Sequence, residues 1–168
     1  GLVGSEMCIR DRYGKMFMID VNSDIAAGYD QYEALQLGTC TPRTGFLNGK
    51  WQNGYNAIQR ANLAIRSIGE APIDEVPKNQ MLGEARFLRA LIYFHLLDYF
   101  GGLPIYDETT DLEKEFNNLL KPRSSAEETR AFILADLEKA LGAGLPDQWN
   151  DANYGRVTLS AAQALLGK

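Results

Sequence analysis

The sequence predicts an all-α protein of antiparallel helix pairs, preceded by a long N-terminal loop region. Two observations lead there. Apolar residues recur at helical spacing in four separate segments, and clusters of glycine, proline and short polar residues divide those segments. Alanines beside the apolar stripes would let neighbouring helices approach closely.

The first helix is predicted over 51–69. Trp51, Tyr55, Ile58, Asn62 and Ile65 fall on one stripe with steps of 4, 3, 4 and 3. Ala57, Ala61 and Ala64 flank the stripe, and Gly69 reads as its terminator.

The second helix is predicted over 77–100, with Pro77 in an early position that needs no backbone N–H. Gly101, Gly102 and Pro104 stop it. Its second half is apolar nearly all round, through Phe87, Leu88, Leu91, Ile92, Phe94, Leu96, Leu97 and Phe100. Such a helix is expected at the centre of a bundle, touched on more than one side. Fully burying one Phe or Leu contributes roughly 1.5–3 kcal/mol, so much of the core should come from here.

The third helix, over 125–141, opens with the capping-box pattern Ser125-x-x-Glu128. It should bury Phe132, Ile133, Leu137 and Leu141 and end at Gly142. The fourth, over 158–168, has Thr158 as N-cap, with Ala161, Ala162, Leu165 and Leu166 facing inward. Residues 13–50 read as loop apart from a short helix near 30–37. Helix-turn-helix pairing of this kind points to a tetratricopeptide-like solenoid, although no regular period of about 34 residues is present.

Bulk properties narrow the function. With 168 residues, 45% apolar and 23% charged, the chain has ordinary globular composition. A net charge of −5 offers no basic field for a phosphate backbone, so nucleic acid is excluded as a partner class. The 2 cysteines, Cys8 and Cys40, make neither a disulfide framework nor a metal spacing. The run "ALIYFHLL" is far shorter than the roughly 18 apolar residues a bilayer crossing needs.

Residues 2–11, "LVGSEMCIRD", resemble the translation of a sequencing-library adapter, so residues 1–12 are set aside as a probable artefact. Residues 13–168 are then read as a partial domain. The final "TLSAAQALLGK" stops within a predicted helix, which on this reading leaves its apolar face unpartnered.

Several blocks in order carry a family resemblance. They are Trp51, Tyr55, Ile58 and Asn62 in "WQNGYNAIQRAN"; the run "EARFLRALIYFHLLDYFGGLP"; Ile133, Asp136, Leu137 and Ala140; and "GRVTLSAAQAL". Together they resemble the SusD/RagB family of outer-membrane nutrient-binding lipoproteins of Bacteroidetes-type bacteria. The resemblance implies a tetratricopeptide-like helical scaffold on the cell surface and no enzymatic activity or cofactor. It implies that a glycan or other nutrient is held and delivered to a TonB-dependent transporter of the SusC type. The lipid anchor and much of the ligand-binding part are expected outside this stretch. A generic tetratricopeptide-like scaffold for protein–protein interaction is the alternative.

Candidate site residues are weighed against packing. His95 has only Asp98 within helical reach, which completes neither a metal site nor a nucleophile triad, so a buried or half-buried structural histidine is expected. Glu84, Arg86, Arg89 and Asp98 should pair across helices and fix their register. Glu84 and Asp98 lie roughly 21 Å apart along a continuous helix, too far for a catalytic carboxylate pair. Asn62, on an apolar stripe, is read as a buried amide bonded to a loop or neighbouring helix. The carboxylates and amide of Asp20, Asn22 and Asp24 mimic a calcium loop, but Ile25 and Gln31 stand where glycine and glutamate are wanted. Sugar rings stack on aromatic faces while amides and charged groups bond their hydroxyls. Tyr29, Tyr32, Arg43, Trp51 and Asn53 are therefore the ligand-binding candidates, Trp51 also being a candidate for packing. Trp149 and Tyr154 are expected to cap the bundle.

Overall fold

A computed structural model of the chain describes residues 37–41, 43–110 and 120–168. Among these residues the structure is all-α. The helices are α1 (Gly45–Glu70), α2 (Glu75–Phe100), α3 (Ala126–Leu141) and α4 (Leu159–Leu166), with a single 3-10 turn at Asp151–Asn153. Two compact units divide the chain, Gly1–Trp51 and Gln52–Lys168.

In the first unit, α1 begins at Gly45, ahead of the apolar stripe that predicts it. The Asn48 amide donates to the Thr44 carbonyl at 3.0 Å, and the Lys50 ammonium sits 5.1 Å from the Phe46 ring centre. These local contacts continue the helix through residues expected as loop. The predicted short helix near 30–37 and the calcium-like motif lie outside the described residues.

The second unit contains the core. Ile58, Asn62 and Ile65 of the α1 stripe are buried, as their spacing requires. Gly69 does not end α1, which runs on to Glu70 before the Ala71 amide turns back to the Ile68 carbonyl. Helix α2 starts earlier than predicted, at Glu75, and Pro77 stands in its first turn. Phe87, Ala90, Tyr93 and Leu96 of α2 are buried, as are Ile133, Leu137 and Ala140 of α3, which packs along α2, and Leu96 also meets α1 at Gly54. At Gly83 a Cβ would come within 2.6 Å of the Ala143 side chain, so glycine sets the close approach of α2 to the end of α3.

Helix α2 is not enclosed on every side. Leu88 is 47% exposed, and His95 and Tyr99 are also exposed, which corrects the expected burial of Leu88 and His95. Helix α3 covers one sector of α2 and the segment that follows α2 covers another, and these residues occupy a third. His95 meets the adjacent Phe94 ring edge-on at 5.8 Å.

Both expected caps form. Ser125 Oγ accepts from the Glu128 amide at 3.1 Å while Glu128 Oε2 accepts from the Ser125 amide at 2.7 Å. Thr158 Oγ1 accepts from the Ala161 amide at 3.2 Å. Ala162 of α4 is buried, but Leu166 is exposed, contrary to its inward assignment. Trp149 closes the loop before α4: its indole N–H donates to the Val157 carbonyl at 2.7 Å, and Arg156 stacks 3.9 Å above its ring. Tyr154 does not take part, being 91% exposed.

Candidate functional site

After α2 the chain reverses. Gly101 adopts φ 69° with its amide bonded to the Leu97 carbonyl at 2.9 Å. A Cβ on Gly102 would lie 2.1 Å from the Ser124 carbonyl oxygen, so only glycine passes this point. Residues 103–110 then run back as a non-helical strap, antiparallel to α2 and in the same direction as α1. Leu103 anchors it, with no exposed surface and its amide donating to Thr129 Oγ1 at 3.2 Å.

Side chains of α1 and α2 hold the strap by its main chain. The Tyr55 hydroxyl donates to the Pro104 carbonyl at 3.0 Å, and Asn62 Nδ2 donates to the Tyr106 carbonyl at 3.0 Å. The Arg66 guanidinium donates to the carbonyls of Glu108 and Thr110, both at 2.9 Å. Tyr93 both accepts from the Tyr106 amide at 2.8 Å and donates to the Tyr106 carbonyl at 3.2 Å. From Tyr55 to Arg66 is about 17 Å along α1, a distance the chain from Pro104 to Thr110 can bridge.

Arg89 is the hub beneath the strap. It donates two parallel bonds to Asp136 of α3, at 2.6 and 2.7 Å, one to Asn62 Oδ1 at 2.6 Å and one to Glu108 Oε2 at 2.7 Å. Its side chain is 1% exposed and that of Asp136 2%. Burial alone would lower the Arg89 pKa, but its bonds to Asp136 and Glu108 outweigh that and raise it. Burial likewise opposes ionisation of Glu108, yet hydrogen bonding and attraction from Arg89 keep its carboxyl below the ordinary range. Asp107 is also burdened by burial and still lowered, because Thr109, Thr110 and Lys121 favour its anion. Burial pushes the Tyr55 and Tyr93 phenols up, so both stay protonated as donors.

The expected register network is therefore present in part. Arg89 is its centre, and Glu84 takes a bond from Arg156 Nε at 2.8 Å. Asp98 is exposed, and Arg86 places a buried Nε without a hydrogen-bond acceptor. Asn62 is the buried, loop-bonded amide its position on the stripe predicts. Arg66, Tyr93, Glu108 and Asp136 were not singled out as contacts. Asp136 carries the same signal as Asn62, a polar residue among Ile133, Leu137 and Ala140 on an apolar stripe.

The ligand-binding candidates fall elsewhere. Tyr29 and Tyr32 lie outside the described residues. Arg43 is exposed in the turn before α1. Trp51 and Asn53 belong to α1 itself, half-buried and exposed respectively, and residues two apart on a helix do not share a face. Asn53 instead continues an outward stripe of Asn56, Arg60 and Leu63. A shallow depression of about 380 Å³ is lined there by Asn56, Gln59, Arg60 and Leu63. Among the described residues no group of three or more His, Cys, Asp or Glu side chains could hold a metal ion. No described helix is long and apolar enough to cross a membrane.

Residues 5–168 match the family model for SusD-like proteins, described as starch-binding and associating with the outer membrane. The chain is 37% identical over 125 residues to a SusD-like protein of Formosa agariphila, covering 74% of this chain and 24% of that protein. The chain thus spans about a quarter of that relative's length. A solved SusD-like carbohydrate-binding protein of Bacteroides fragilis superposes with a TM-score of 0.77 at 26% identity, over 89% of this chain and 29% of that one. A laminarin-binding SusD-like protein superposes with a TM-score of 0.72 at 28% identity, over 82% of this chain and 29% of that one.

Proposed function

Since the chain belongs to the SusD-like family, we propose that it is part of a non-catalytic protein that captures a glycan at the outer cell surface and passes it to a TonB-dependent transporter of the SusC type. The family match over residues 5–168 carries this reading. The geometry agrees with it. Buried Arg89 and Asp136, with half-buried Glu108, would attract attention as a charged cluster, but they spend their bonding capacity on the strap and on each other. That arrangement is scaffold chemistry.

Ligand contact is assigned to surfaces the scaffold leaves open. The outward stripe of α1 offers the amides of Asn53, Asn56 and Gln59, the guanidinium of Arg60 and the apolar Leu63. Amides bond sugar hydroxyls in either direction, and an apolar patch accepts the C–H face of a ring. Arg43, Trp51, Tyr29 and Tyr32 are retained as further ligand residues on chemical grounds. The rival reading, a scaffold for protein–protein interaction, would use the seam between α1 and α2, and residues 103–110 already fill it.

Affinity electrophoresis through laminarin and starch gels tests the proposal. Retardation of the chain in at least one of them is expected. Migration unchanged in both, by a cooperatively folded sample, would contradict it.

A further inference from the structure

We propose that the seam between α1 and α2 is a peptide-binding groove, occupied in cis by the chain's own residues 103–110. The inference is independent of any glycan and rests on how the strap is recognised. Carbonyls of every second residue, Pro104, Tyr106, Glu108 and Thr110, accept from side chains of the helix pair. Main-chain groups are common to all peptides, so these donors recognise an open backbone and tolerate varied sequence. Glu108 adds selectivity, because its carboxylate meets Arg89 at 2.7 Å.

Part of the groove's frame is held by groups that do not belong to the strap. Arg89 is oriented by Asp136 of α3 and Asn62 of α1, both outside the strap. With that frame in place, the remaining N–H of Arg89, the Nδ2 of Asn62 and the hydroxyls of Tyr55 and Tyr93 are aimed at one line. Such preorganisation lowers the ordering cost that a bound segment must overcome. The ligand class is a non-helical peptide carrying a carboxylate two residues after an aromatic, the pattern of Tyr106 and Glu108. In the native chain the strap is tethered at both ends, and its effective concentration, on the order of millimolar for short tethers, excludes competitors.

The test replaces residues 104–110 with a glycine/serine segment of equal length, keeping Leu103. A fluorescently labelled peptide of residues 103–110 is then titrated in and anisotropy is read. The replaced chain should bind this peptide at least tenfold more tightly than the same peptide carrying Glu108→Ala, and the native chain should bind neither. If the replaced chain does not fold alone, circular dichroism supplies the second reading. The native-sequence peptide should then restore helix and the Glu108→Ala peptide should not. A folded variant that ignores the peptide, equal binding of both peptides, tight binding by the native chain, or no recovery of helix would each overturn the proposal.

Discussion

Arg89 of α2 and Asp136 of α3 form a two-pronged ion pair, at 2.6 and 2.7 Å, in the most enclosed part of the helix bundle. Each prong is a charge-assisted bond, and the planar guanidinium matches the carboxylate edge. Removing Asp136 leaves two buried N–H groups of Arg89 without acceptors and only the half-buried Glu108 to offset its charge. Asp136→Ala should therefore cost about 3–5 kcal/mol in chemical denaturation. Arg89→Lys should also destabilise, since an ammonium cannot serve Asp136, Asn62 and Glu108 in one plane. A loss below about 1 kcal/mol for Asp136→Ala, typical of exposed pairs, would mean the hub is dispensable.

Acid should weaken the strap through Glu108 and Asp107. Both carboxyls are lowered in the folded chain, so their contribution is present above the ordinary carboxylate range and lost as pH falls through the folded values. Melting temperature should hold between about pH 7 and 5 and drop below about pH 4. Glu108→Gln should lower stability at pH 7 and shrink that acid-dependent drop. A drop of unchanged size in the variant would place the titration elsewhere.

Two glycines should respond in opposite directions. Gly102→Ala drives a Cβ into the Ser124 backbone, which cannot yield without moving the start of α3, so it should destabilise by more than about 1 kcal/mol. Gly69→Ala lies in a helix with no heavy atom near the added carbon and should stabilise by roughly 0.5–1 kcal/mol. Paired thermal melts decide both, and a stabilising Gly102→Ala would show that the strap does not pass as described.

Ser125→Ala removes the acceptor for the Glu128 amide and one half of the capping box. A loss of about 1 kcal/mol is expected, and Ser125→Asp should recover most of it. Equal stability of the serine and alanine chains would deny the cap any energetic role.

Local features of the fold were legible from sequence, and non-local ones were not. Caps at Ser125 and Thr158, the first-turn Pro77 and the stripe through Ile58, Asn62 and Ile65 all depend on residues a turn or two apart. The start of α1 was missed because "GFLNGK" has two glycines and an asparagine and no apolar repeat. The outward placement of Leu88 and His95 was missed because a helix apolar nearly all round does not say which sector lacks a neighbour. The strap read only as a turn-rich loop. Its partners Tyr55, Asn62 and Arg66 stand more than 40 positions away in sequence, and spacing cannot join them.

The central claim is that the family-marking residues Tyr55 and Asn62 serve the scaffold by holding the strap, while the proposed ligand contact lies on other surfaces. The affinity of Tyr55→Phe in whichever glycan gel, laminarin or starch, retards the unaltered chain tests it most directly, because the change removes only the hydroxyl bonded to Pro104. The expected result is a melting temperature lowered by a loss of about 1 kcal/mol with retardation equal to that of the unaltered chain. Loss of retardation at unchanged melting temperature would place Tyr55 in the ligand site and contradict the claim.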